Sequence, residues 1–210
     1  MNFKEHWDQV YDSKDVKELG WYEEDPLPSI DLLNLCNLDK KDQILNIGVG
    51  ASTFIDYLLN QGYLNIVAAD ISETGLQKLK ERIGTELSNK IRWIIDDLTK
   101  PTLLGQLNNV ALWHDRAVLH FLTEPEDQDT YFHLLKKVLK PRGYVIIAAF
   151  SLSGSRKCSG LDVFNYSSQM LVEKLGQNFS LVKSFDNVYT MPSGEKRDYI
   201  YTLFQKSNQG

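Results

Sequence analysis

The sequence predicts an α/β protein built on a doubly wound, mostly parallel seven-stranded sheet that ends in an antiparallel hairpin. Three observations carry that expectation. Short β-branched apolar runs alternate with helical patterns from about residue 43 onward, the rhythm of right-handed βαβ units. Those runs are apolar almost throughout, as strands are when helices cover both faces of a sheet. The last two runs are joined through Met191-Pro192-Ser193-Gly194-Glu195 with no helix between them, so they must pair antiparallel.

In chain order, Gln43 to Gly48 (QILNIG) reads as the first buried strand. From Ser52 to Asn60, apolar residues at Phe54, Tyr57 and Leu58 have helical spacing. Asn65 to Asp70 is a second strand, and a helix capped by Ser72 follows with Leu76, Leu79 and Ile83 on one face. Ile91–Ile95, Val110–Trp113 and Tyr144–Phe150 supply the third, fourth and fifth strands. A helix from Glu126 to Leu139 lies between the last two and stops at Lys140-Pro141-Arg142-Gly143, a Pro/Gly terminator. Phe179–Phe185 and Tyr199–Phe204 form the closing hairpin.

The chain has 210 residues, enough for one well-buried core, and no linker or repeat divides it. A formal net charge of −5 argues against a broad nucleic-acid footprint, which needs clustered excess Lys and Arg. The basic stretch Lys136, Lys137, Lys140 and Arg142 reads as cations at a helix end. Cys36 and Cys158 are lone thiols without zinc-site companions, which predicts no metal and a reducing, cytoplasmic setting. The opening residues Met1 to Trp7 contain no apolar stretch of a secretory leader, and no run is long enough for a membrane helix.

Open α/β sheets bind ligands at the carboxyl ends of their strands. The first such end here is Asn46-Ile47-Gly48-Val49-Gly50-Ala51-Ser52. Glycines there let the backbone turn sharply and approach a ligand closely. Asp70 ends the second strand about 20 residues on, where a carboxylate can accept hydrogen bonds from both hydroxyls of an adenosine ribose. A dinucleotide fingerprint requires a third glycine where Thr53 stands, and no Lys-Ser or Lys-Thr follows as a Walker loop requires. A nucleoside ligand without phosphates remains.

At this point the chain resembles the class I S-adenosylmethionine-dependent methyltransferases, over about residues 40 to 206 and including the hairpin they add to a Rossmann-like sheet. Leu112-Trp113-His114-Asp115-Arg116-Ala117-Val118-Leu119-His120-Phe121-Leu122-Thr123, with Leu139 to Gly143 and Lys157-Cys158-Ser159-Gly160-Leu161, is similar to a bacterial group of small methyltransferases. Members of that group typically open as here, with His6-Trp7-Asp8, Tyr11 and Trp21-Tyr22-Glu23. The resemblance implies S-adenosyl-L-methionine as cofactor and names no substrate; the acceptor is read as a small molecule or a protein side chain. It implies backbone approach by Gly48 and Gly50, and ribose contact through Asp70 with Ile71 beside it. Asp97 would accept from the adenine amine, with Leu98 against the ring. Asn46 stands where the family usually has an acid facing the methionine ammonium, and Ser52 where it often has a third glycine.

Trp113, at the fourth strand's end, would flank the cofactor, and His114 beside it is a candidate proton acceptor or a hydrogen-bonded scaffold residue. Asp115 and Arg116 read as an ion pair, and His120 as packing. The chain is expected to form one domain over 1–210, with 1–40 a helical lid or substrate segment and 41–206 the core. Tyr11, Trp21 and Tyr22 would then lie over the sulfonium, where aromatic faces offer cation–π stabilisation and exclude water. Two alternatives stay open: a catalytically weak cofactor-binding module on the same fold, and a nicotinamide-dependent reductase.

Overall fold

The computed structural model describes residues 2–208. Met1, Gln209 and Gly210 lie outside the described residues, and with them the two ends of the expected 1–210 domain. The chain opens with helix α1 (Phe3–Ser13), whose cap Asn2 accepts from the Glu5 N–H, then a short 3-10 turn (Val16–Glu18) and α2 (Leu27–Leu33). There follow β1 (Gln43–Ile47), α3 (Phe54–Asn60), β2 (Ile66–Asp70), α4 (Glu73–Ile83), α5 (Thr85–Ser88) and β3 (Ile91–Ile95). Next come β4 (Val110–Arg116), α6 (Pro125–Val138), β5 (Leu139–Phe150) and a minimal hairpin of β6 (Lys157–Cys158) and β7 (Leu161–Asp162). The chain ends with α7 (Ser168–Leu175), β8 (Phe179–Thr190) and β9 (Lys196–Lys206).

The main sheet has seven strands in the order β3-β2-β1-β4-β5-β9-β8. The first five run parallel, and β9 pairs antiparallel with both β5 and β8. Chain direction across the sheet reverses between β1 and β4, and that is where a crevice forms outside the strand ends. Strand alternation feeds two cores, one on each face. Leu45 and Ile47 of β1 join Trp113, Tyr131 and Leu135 on the α6 side, while Ile44 joins Phe54, Leu76 and Leu112 on the α3–α4 side. Each fully buried side chain of this size stabilises by roughly 1.5–3 kcal/mol relative to exposure.

Several elements differ from the expectation: the hairpin strands are longer, β8 reaching Thr190 and β9 starting at Lys196. β4 runs on to Arg116, because Asn46 and Ile47 on one side and Ile146 to Ala148 on the other continue the ladder past Trp113. β5 starts at Leu139, which pairs with Val110 directly after α6. The terminator Lys140–Gly143 is thus the irregular opening of a strand, with a register shift opposite it and Arg142 at φ 62°. α7 was not expected; it buries only Leu171 and Leu175, too little periodicity to read, although Ser167 caps it by accepting from the Met170 N–H.

Candidate active site

A cleft runs along the carboxyl ends of β1 to β4, the place where open α/β sheets bind ligands. Gly48 follows β1, Asp70 and Ile71 end and follow β2, Asp97 and Leu98 follow β3, and Ala117 and Val118 follow β4; all line it. Trp7 and Tyr11 of α1, with Trp21, cover it, and Phe121 and Cys158 stand at its edge. A second cavity lies behind the glycine loop, sharing Trp21, Ile47, Gly48 and Arg116 with the first and reaching Asn46, His114, Tyr22 and Glu23.

The loop's two glycines have different neighbours. Gly48 (φ 55°) and Gly50 (φ 45°) both hold left-handed backbone that other residues rarely adopt. A Cβ on Gly48 would overlap Val118, and one on Gly50 would overlap the Tyr11 hydroxyl. Gly48 borders both cavities. Gly50 borders neither: Tyr11 lies against it, and its N–H donates to Asp70 Oδ2 at 2.7 Å.

Asp70 is 8 % exposed, and its other oxygen accepts from the Ser72 N–H at 2.8 Å. Burial pushes its pKa up to about 6, against the opposing effect of these backbone donors. The two acids after β3 divide their work. Asp96 accepts from the Thr102 and Leu104 N–H groups and the Thr102 hydroxyl, which fixes the following loop. Asp97 uses only Oδ1, toward the Thr99 N–H and hydroxyl at 2.8 Å each, and among the described residues Oδ2 carries no hydrogen bond.

The extension of β4 redistributes its last residues, because successive strand residues face opposite ways. Trp113 points into the α6-side core, where its indole N–H donates to the Tyr131 hydroxyl at 3.0 Å, and it lines neither cavity. Asp115 faces the same way and accepts from the Tyr131 hydroxyl at 2.7 Å and from the Val118 and Leu119 N–H groups; burial raises its pKa to about 7. Asp115 and Arg116 therefore form no ion pair. Arg116 instead meets Glu23 at 2.8 Å, both side chains 10 % exposed.

His114 lines the second cavity with both ring nitrogens engaged, Nδ1 with Asn46 Oδ1 and Nε2 with Ser29 Oγ, each at 2.9 Å. It stacks on Phe54 at 4.1 Å, and burial, aided by the Arg116 charge, lowers its pKa to about 3. Both ring nitrogens of His114 are thus engaged, and its basicity is low. Asn46 is held by this contact through Oδ1, while its Nδ2 is buried without a partner.

The N-terminal segment is docked over the cleft. Asp8 of α1 accepts from the Ser72 hydroxyl at 2.7 Å and the Thr74 N–H at 3.1 Å, and pairs with Lys4 at 2.7 Å. Trp7 meets Trp21 and Phe121 edge-on, with centroids 5.5 and 4.8 Å apart, and Tyr11 is buried against Trp21. Tyr22 reaches the second cavity, and its carbonyl accepts from the Tyr189 hydroxyl. Sequence reasoning missed Asp8, Glu23 and Ser29, whose partners lie far along the chain. The motifs Trp7-Asp8 and Trp21-Tyr22-Glu23 were the only signal for the first two.

Residues 44–143 match a family described as a methyltransferase domain. The EEF1A lysine methyltransferase 2 of Danio rerio is 24 % identical over 196 residues, covering 87 % of this chain and 77 % of the fish protein. A SAM-dependent methyltransferase from Anabaena variabilis shares the fold with a TM-score of 0.76 at 12 % identity, over 98 % of this chain and 96 % of that one. The N-methyltransferase NodS from Bradyrhizobium japonicum, in complex with S-adenosyl-L-homocysteine, gives 0.68 at 15 % identity, over 95 % and 97 %. The matched domain, with a fold shared by these S-adenosylmethionine-dependent enzymes, makes this chain a methyltransferase whose methyl donor is S-adenosylmethionine.

Proposed function

We propose that methyl transfer takes place in the main cleft, to a small molecule or a protein side chain, with residues 1–40 as its cover and 41–206 as the core. The observation that carries this reading is the alignment of Gly48, Asp70 and Asp97 at three successive strand ends along one cleft. In this reading Asp70 accepts from the ribose hydroxyls, and Asp97 Oδ2 takes the adenine amine, with Ile71 and Leu98 against the ring. The residues fit such a ligand in a second respect. Asn46 Nδ2 is a buried, unpartnered donor beside the cavity behind Gly48, which suits the polar methionine end of the cofactor.

When bound, the cofactor supplies a methyl group on a sulfonium, a good leaving group. The chain's own residues orient and desolvate: Tyr11, Trp21 and Tyr22 shut out water, and the strand ends fix the nucleoside. The Danio rerio relative is named for a protein lysine, which supports a protein acceptor; the aromatic cover over an apolar cleft supports a small one. The net charge of −5 argues against nucleic acid. Among the described residues no helix is long and apolar enough to cross a membrane, and the separate thiols Cys36 and Cys158 suit a cytoplasmic setting.

Calorimetry with S-adenosylhomocysteine tests the site. Asp70→Ala should weaken binding by roughly 1.5–3 kcal/mol, the range for a charge-assisted hydrogen bond. A folded Asp70→Ala variant with wild-type affinity removes Asp70 from the site.

A further inference from the structure

The main cleft has two unlike ends. Its carboxylates, Asp70, Asp96 and Asp97, all belong to the ends of β2 and β3. The end beyond β4 holds Arg116 among Trp7, Trp21 and Phe121, and among the described residues Arg116 is the only Lys or Arg that lines either cavity.

Arg116 is fastened at three points and open at one. Nε donates to the Tyr201 hydroxyl at 3.0 Å and faces Glu23 at 2.8 Å, and Nη1 donates to the Trp21 carbonyl at 2.9 Å. The rings of Tyr189 and Tyr199 lie 5.0 and 5.2 Å from its Cζ. Nη2 is buried and has no hydrogen-bond partner. A buried charged donor left unpaired is costly, and Arg116 lines both cavities, so a ligand acceptor that reached Nη2 would complete its hydrogen bonding.

Among the described residues that line the two cavities at that end, no side chain is free to act as a base. Both nitrogens of His114 are bonded, Asp115 faces the opposite core, and burial holds the Cys158 thiol and the Tyr11 hydroxyl above their ordinary values. An acceptor must shed its proton to water. A fixed guanidinium assists that for a phenol, a thiol or an acidic ring N–H, because it favours the anion. The same guanidinium offers a lysine ammonium no acceptor, and the Glu23 carboxylate at 2.8 Å is already paired with it. Aromatic walls alone would suit a sulfonium or an ammonium; the cation among them decides.

We propose that Arg116 selects the acceptor: the enzyme methylates a small molecule whose reacting atom is a weakly acidic oxygen, sulfur or ring nitrogen, held as its anion against Arg116 Nη2. This rests on the reading of the main cleft as the transfer site. The acceptor's proton goes to water and its lone pair forms the bond to the methyl carbon. The carbon–sulfur bond breaks with its electron pair remaining on sulfur, so no oxidant or further reactant is needed.

The test uses the full chain saturated with S-adenosylhomocysteine, with 4-nitrophenol and 4-nitrothiophenol as probes whose anions absorb visibly. The bound probes should titrate about one unit or more below their free values, and Arg116→Gln should abolish the shift. Arg116→Gln also strips a buried carboxylate of its partner and can unfold the chain. Glu23→Gln is therefore the second variant: with the competing carboxylate gone, the shift should deepen. The proposal is overturned by probes that do not bind saturably, by an unshifted titration, by a shift that Arg116→Gln preserves, or by a shallower shift in Glu23→Gln. It is equally overturned if, with S-adenosylmethionine, an N-acetyl-lysine peptide gives a higher kcat/KM than both probes. Failure of S-adenosylhomocysteine itself to bind strikes the cofactor site instead, so the two failures are read apart.

Discussion

Asp70 answers to two demands. Burial favours its neutral form and raises its pKa to about 6, whereas a partner for two ribose hydroxyls must offer free lone pairs. As pH rises through about 6 the proton leaves and the acceptor appears. S-adenosylhomocysteine affinity should therefore climb between about pH 5 and 7. Asp70→Asn, which cannot ionise, should bind more weakly and lose that climb; calorimetry across the range checks it, and an identical profile in the variant assigns the titration elsewhere. Residues of this kind were legible because a strand end and a spacing fix them: Gly48, Asp70 and Asp97 all line the cleft. Trp113 and His114 were not. Their facing depends on how far β4 extends, and three residues of unforeseen ladder turn Trp113 toward Tyr131 and give His114 to Asn46 and Ser29.

Among the elements, α1 is the one whose position bears most on binding. It is tied to the start of α4 by Asp8, which is held below the ordinary carboxylate range by its bonds to Lys4, Ser72 and Thr74 in spite of partial burial. Ser72 also donates its N–H to Asp70, so the fastening of the cover and the ribose acceptor share one residue. Asp8→Ala should free the first helix, raising protease cleavage near Lys14–Lys17 and weakening S-adenosylhomocysteine binding, with saturating ligand restoring protection. Equal cleavage of variant and wild type, with and without ligand, would show that Asp8 does not hold the cover. The strands were readable because buried parallel strands are apolar throughout, as in β2, where every residue is buried. The short helices α2, α5 and α7 and the β6–β7 hairpin were not, since elements of two to eight residues present too few apolar positions for a period to show.

At the level of the whole molecule, buried ionisable groups oppose one another. Burial raises Asp70 and Asp115 to about 6 and about 7, so their contribution to stability is present at low pH and lost as pH rises through those values. Burial lowers His114 and His120 to about 3, so theirs is present above the ordinary value of 6.5 and lost as pH falls below it. Between roughly pH 4.5 and 6.5 the two trends cancel in part, and the melting temperature of the wild-type chain should change little. Asp115→Asn removes one of the opposing carboxyls, and its melting temperature should fall visibly as pH drops across that window. Parallel curves for variant and wild type would mean that Asp115 does not carry this balance. Arg116 ties together parts of the chain that are made at very different times. Translation delivers Trp21 and Glu23 early and the tyrosines at 189, 199 and 201 near the end, yet all of them close on this one side chain. On the ribosome, where the N-terminal part emerges first, the cover must wait for the final hairpin before it is fastened. A growing chain is thus spared a finished site until almost all of its sheet has been synthesised.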